Sequence, residues 1–124
     1  PAIAATGPTA IAAAAEFGDA WITEGEPTDP APTAASCEEA MRRQTALLDR
    51  SCADQGRDPA SIERIFLLSN RAERPLADLA AFTDFVARYE ALGFTDIVFH
   101  DPRPDDPVWD DDPATVDRIA DKFL

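Results

Sequence analysis

The stretch AIAATGPTAIAAAAEFGDAWIT, residues 2–23, decides how the rest of the chain is read. A short apolar run stops at Thr6-Gly7-Pro8, an alanine-rich segment follows, and a second apolar run begins after Gly18. Proline suits the first helical turn, where its missing N–H would have no partner, and glycine suits the residue past the end. The spacing therefore predicts a strand over Ala2–Ala5, a helix from Pro8 with Ile11, Ala14, Ala15 and Phe17 inward, and a strand over Asp19–Thr23. Two roles are open to Thr6-Gly7-Pro8. It is either a turn that starts a helix or a seat where bare backbone donors meet an anionic ligand.

The same alternation continues downstream. After the proline-rich loop EGEPTDPAPTAA (24–35), Ser36 and Glu39 have the spacing of a capping box. The helix they open carries Cys37, Met41, Thr45, Leu48 and Cys52 on one stripe and ends at Gly56. Ile65–Leu68 is apolar on both faces, as expected of a central parallel strand. Loop SNRAERPL (69–76) leads to a helix with Phe82, Phe85, Val86, Tyr89 and Leu92 on one side, closed by Gly93. Asp96–Phe99 is the fourth strand. Loop HDPRPDDPVWDD (100–111) then reaches the helix-start pair Asp112-Pro113, and Val116, Ile119, Ala120 and Phe123 stripe the last helix.

Four strand–helix units in strict alternation predict one α/β domain over residues 1–124 with a parallel sheet. Three of the four strand-to-helix links are long and rich in Pro, Asp and Arg, and all of these links fall at the carboxyl ends of the strands. Ligands bind at that face in α/β folds. Neither AIAA nor DIVF carries an inward charge or a proline, so both outer strands read as expecting a neighbour. The expected architecture is four parallel βα units forming the carboxyl half of a TIM (β/α)8 barrel, with a missing amino-terminal half-barrel or self-association completing it.

Twenty-four acids against eleven bases give a net charge of −13. Such a surface repels phosphate backbones and anionic lipid, which argues against nucleic acid and membranes as partners. The first residues lack the basic cluster of a signal peptide, and no apolar stretch is long enough to span a bilayer. Cys37 and Cys52 fall on one helix, about 22 Å apart, beyond disulfide reach. Two buried thiols in a reducing, cytoplasmic compartment are expected.

In order and spacing, AATGPTAIAAAAEFGDAWIT, GRDPASIERI and YEALGFTDIVFHDP resemble the carboxyl half of the luciferase-like flavin- and deazaflavin-dependent oxidoreductases. The resemblance runs nearly end to end. It implies a TIM barrel that binds FMN or a deazaflavin coenzyme at the strands' carboxyl ends. Hydride then moves between a small-molecule substrate and the flavin ring, or reduced flavin activates oxygen in the monooxygenase branch. It places Ala5, Thr6 and Gly7 against the cofactor, with Pro8 and Thr9 beginning the helix behind them. Glycine admits close backbone approach, and threonine hydroxyls add donors without charge. The family's amino half, which supplies much of the substrate pocket, has no counterpart here. Sugar-phosphate-specific members place a base after the second of these strands, where this chain has Glu24, Glu26 and Pro27, so a phosphosugar is not expected.

Other residues keep two readings. His100, the only histidine, stands where the fourth strand ends and is either a ring-contacting group or a structural imidazole. Arg103, held between Pro102 and Pro104, is the candidate for an anionic cofactor tail, whereas Arg71 and Arg74 are expected to pair with nearby carboxylates. The acids between Asp101 and Asp112 lack calcium-loop spacing, so no metal site is expected. Trp21 and Trp109 read as packing residues. No catalytic residue is assigned, and a flavin- or partner-binding half-barrel without catalysis is the alternative function. A signalling receiver is excluded, because the first strand ends in Thr6-Gly7 and the only lysine, Lys122, is in the last helix.

Overall fold

A computed structural model describes all residues, 1–124. Strands β1 (Ala2–Ala4), β2 (Ala20–Thr23), β3 (Glu63–Leu67) and β4 (Asp96–Val98) alternate with helices α1 (Pro8–Phe17), α2 (Ala34–Asp54), α3 (Leu79–Ala91) and α4 (Pro113–Phe123). The sheet is wholly parallel, in the order β1-β2-β3-β4. No helix is long and apolar enough to cross a membrane.

That order fixes which side of the sheet is covered. Parallel crossovers are right-handed almost without exception, and here each one steps in the same direction, so every helix lands on one side. Side-chain alternation agrees. Trp21 and Phe66 point into a core shared with Ile11 and Ala14 of α1, Met41, Leu48 and Cys52 of α2, and Phe85 and Tyr89 of α3. Phe66 lies 4.6 Å from Tyr89 and 5.9 Å from Phe85, ring centre to ring centre. The intervening residues point the other way. Ala4, Ile22, Ile65 and Asp96 are register partners across the four strands, and Leu67 pairs with Val98 above them. DIVF, expected to carry no inward charge, thus puts the Asp96 carboxylate on this face at the β4 edge. No helix packs on this second face, which is apolar apart from Glu63 and Asp96. Ile22, Ile65 and Leu67 are only half-buried, and Val98 is 45% exposed.

The punctuation works largely as read, with four local corrections. Gly18 caps α1, its N–H donating to the Ala14 carbonyl at 2.8 Å. A Cβ there would lie 2.7 Å from that oxygen, so close approach requires the glycine. Phe17, expected inward, is 63% exposed, because the helix ends there and the inward arc is filled by Ile11, Ala14 and Ala15. Helix α2 begins at Ala34, capped by Thr33 and not by Ser36. Ser36 occupies the third helical position, where Glu39 had been expected to serve a later start. Thr33 Oγ1 accepts from the Ser36 N–H at 3.0 Å, and Ser36 Oγ accepts from the Thr33 N–H at 2.9 Å. Strand β3 starts two residues before Ile65, with buried Arg64 bound to Asp49 at 2.5 Å and to the Pro59 carbonyl at 3.1 Å. Both cysteines are free, but only Cys52 is fully buried; Cys37 is half-buried, with the Asn70 amide 3.6 Å from its sulfur. Burial pushes both thiols above the ordinary range.

Candidate functional site at the carboxyl ends of the strands

The sheet order spreads the expected site residues along the rim. Ala5, Thr6, Gly7 and Thr9 stand at the β1 edge, His100 and Arg103 at the β4 edge. Three strand spacings, about 14 Å, separate the two groups.

At the β1 edge an open cleft of about 380 Å³ forms where the uncovered sheet face meets the start of α1. Ala4, Ile22 and Leu67 supply its floor, Thr6, Gly7 and Ala10 one wall, and Glu24 and Pro27 the other. Thr9 is exposed behind this wall and does not line the cleft. Ala5 is spoken for internally: its N–H donates to the Ile22 carbonyl at 3.0 Å, and its carbonyl accepts from Trp21 Nε1 at 2.8 Å. Trp21, fully buried, thus anchors the turn from below. Thr6 and Gly7 remain for a ligand.

The start of α1 is open. Gly7 is its N-cap and offers no side-chain acceptor, and Pro8 follows. The N–H groups of Thr6, Gly7, Thr9 and Ala10 donate to no acceptor in the chain. Gly7 has φ −95°, and a Cβ built on it meets nothing within 4 Å. Neither conformation nor packing therefore requires glycine here. The other three helices are closed by side chains, Thr33 for α2, Asp78 for α3 and Asp112 for α4.

A buried polar ring that the sequence reading missed holds the opposite wall. Thr23 Oγ1 donates to Gln44 Oε1 at 2.5 Å, Gln44 Nε2 donates to the Gly25 carbonyl at 2.6 Å, and the Gly25 N–H returns to Thr23 Oγ1 at 3.0 Å. Gly25 has φ +90°, a conformation that favours glycine. The ring fixes the chain on both sides of Glu24, which is exposed and has no ion-pair partner. Gln44 lies between Met41 and Leu48 on the buried stripe of α2; a polar residue at that position is the one signal that could have exposed it.

The β4 edge is sealed on the side of Arg71 and Arg74. Asp111, whose side chain is 2% exposed, binds Arg71 at 3.3 Å and Arg74 at 3.2 Å, and Asp110 binds both arginines as well. This is the pairing expected of Arg71 and Arg74. The Trp109 ring is stacked on His100, 4.0 Å away, and the Arg71 guanidinium also lies over it at 5.1 Å. Arg103 is 63% exposed and nearest to Asp106, at 3.5 Å. The Trp109 and Val108 N–H groups donate to Asp106 and hold its carboxyl below the usual range. Farther back, Arg88 binds Glu73, Glu38 and Asp84, tying α3 to α2 and to the loop after β3. Burial works against the Arg88 charge, but these partners outweigh it and raise its pKa. No group of three or more histidine, cysteine or carboxylate side chains is placed to hold a metal ion.

In chemical terms, the β1 edge offers a flat apolar floor, free amide donors on one side and a carboxylate acceptor on the other. At the β4 edge the arginines are already neutralised by Asp106, Asp110 and Asp111. Compared with known proteins, the chain matches no family model, and no curated protein or solved structure matches it.

Proposed function

We propose that this chain is the cofactor-binding carboxyl-terminal half of a (βα)8 barrel, in a flavin- or deazaflavin-dependent oxidoreductase of the luciferase-like kind. The observation that carries the reading is the cleft at the β1 edge, where an uncovered apolar sheet face adjoins a helix start with neither cap nor side chain. The residues present fit a flavin. Ala4, Ile22 and Leu67 give a planar ring an apolar bed, Thr6, Gly7 and Ala10 present donors, and Glu24 can accept from a ring N–H. Gly7 leaves open the space that a side chain would fill. The helix dipole favours a phosphate near Thr9, and the exposed carboxylates elsewhere confine an anion to this spot.

Bound here, the cofactor would supply hydride transfer or oxygen activation. This chain's part is to hold and orient the ring, with the Thr23–Gln44–Gly25 ring of hydrogen bonds keeping the Glu24 wall in place. The second sheet face is the surface on which an amino-terminal half, or a second copy, would complete the barrel and the substrate pocket. That uncovered face also favours the alternative, a half-barrel that binds flavin or a partner chain without turning substrate over.

Titrating the chain into FMN and following flavin fluorescence tests the seat, with saturable quenching expected and unchanged fluorescence counting against it. Turnover on adding a complementing half separates enzyme from binder. Sedimentation tests the architecture: association at high concentration is expected, and a stable monomer would contradict a half-barrel.

A further inference from the structure

The apolar stripe of α4 is only partly used. Ile119 is buried, Val116 and Ala120 are half-buried, and Phe123 is 46% exposed. Between this stripe, α3 and β4 lies a cleft of about 330 Å³, at the small end of the range for ligand cavities. Three aromatic rings form its apolar part: Phe82 lies 5.0 Å from Phe123 and 5.4 Å from Phe99. It lies on the helix side of β4, away from the β1 cleft, and is argued for this chain as it stands.

One end of this cleft is polar. His100 and Asp101 line it, and neither makes a side-chain hydrogen bond or ion pair within the chain. Farther along the same loop the carboxylates behave differently, with Asp106, Asp110 and Asp111 all bonded to arginines or backbone N–H groups. The imidazole is held in place by its stack on Trp109, so its edge is presented in a fixed plane.

We infer that this cleft binds a small amphipathic ammonium compound, an aromatic or branched apolar body carrying a primary amine. The body packs against Phe82, Phe99 and Phe123 where these rings line the cleft. The ammonium group meets the Asp101 carboxylate, beside the edge of the His100 ring. The chain's net charge of −13 draws cations toward the mouth and repels carboxylate-bearing analogues. An aromatic wall with a carboxylate at its edge selects an organic cation over a neutral molecule of the same shape.

The test compares 2-phenylethylamine with the neutral 2-phenylethanol, titrated into the isotope-labelled chain near neutral pH and followed by NMR. Saturable shifts of the Val116 and Ile119 methyls and of the His100 ring are expected, with the amine binding at least tenfold tighter than the alcohol. Asp101→Asn, at an exposed position, should reduce that ratio to within about twofold while leaving the spectrum of the fold intact. Ile119→Trp should abolish binding of both compounds; Val116→Phe, which fills the same space from a half-buried position, serves where Ile119→Trp does not fold. Equal affinity for amine and alcohol would overturn the proposal. So would an unchanged ratio in Asp101→Asn, or shifts confined to residues outside the cleft.

Discussion

At the β4 edge of the rim, Asp111 gathers Arg71 and Arg74 while His100, Trp109 and Arg71 stack face to face. At the β1 edge, Thr6 and Gly7 leave backbone donors free above an apolar floor. Both stretches follow a strand and precede a helix that starts with proline, yet one end is closed by its own side chains and the other is not. Where a loop pairs its arginines internally, breaking a pair costs stability and those arginines have little left to offer an anion. A short turn without side-chain partners contributes little stability and keeps its donors for a guest.

If this contrast is right, substitutions at the two edges separate stability from binding. The largest effect on stability is expected at Asp111. Asp111→Ala leaves Asp110 as the only carboxylate partner of Arg71 and Arg74 and opens a buried gap; it should cost about 3 kcal/mol in urea unfolding, with flavin affinity unchanged. Next comes Gln44→Leu, which removes the partners of Thr23 and of the Gly25 carbonyl. A loss of about 2 kcal/mol is expected, together with weaker flavin binding as the Glu24 wall loosens. Gly7→Asp should move the two quantities in opposite directions. Aspartate is a better N-cap than glycine and should add a few tenths of a kcal/mol. Its carboxylate would occupy the free donors and the open space, so flavin affinity should fall at least tenfold. Loss of stability with unchanged affinity in Gly7→Asp would erase the distinction between the edges.

The smallest effect is a pH dependence at the sealed edge. The Asp106 carboxyl is held below its ordinary range by the Trp109 and Val108 N–H groups, so its contribution is complete above the unfolded-state value near ~4. It is lost as pH falls through the lower folded-state value. The Trp109 indole resonance should therefore shift in acid below about pH 4. In Asp106→Asn that titration should be absent, leaving the loop equally ordered at pH 7 and pH 3.

How much of this the sequence disclosed follows from what each feature depends on. Pro8, Gly18, Gly56 and Gly93 act locally, through a missing N–H, a close approach and positive φ, so the alternation of strands and helices is readable from them. Thr33 and Ser36 form the expected kind of cap three residues earlier than expected, because serine can stand where glutamate usually does. Phe17 sits at a helix end, where periodicity ceases to predict burial. Gln44 and Asp111 were hidden for another reason. Each is buried by partners far along the chain, Gly25 and Thr23 for one and Arg71 and Arg74 for the other; only the place of Gln44 on the buried stripe of α2 hints at it, and nothing nearby marks Asp111. The separation of Gly7 from His100 depends on strand order, which alternation alone leaves open.

Backbone amide shifts during an FMN titration test the central claim most directly. Saturable changes should concentrate at Thr6, Gly7, Ala10, Ile22 and Glu24, with Arg71, Trp109 and Asp111 unmoved. Changes centred on the β4 edge, or none at the β1 turn at saturating FMN, would contradict it.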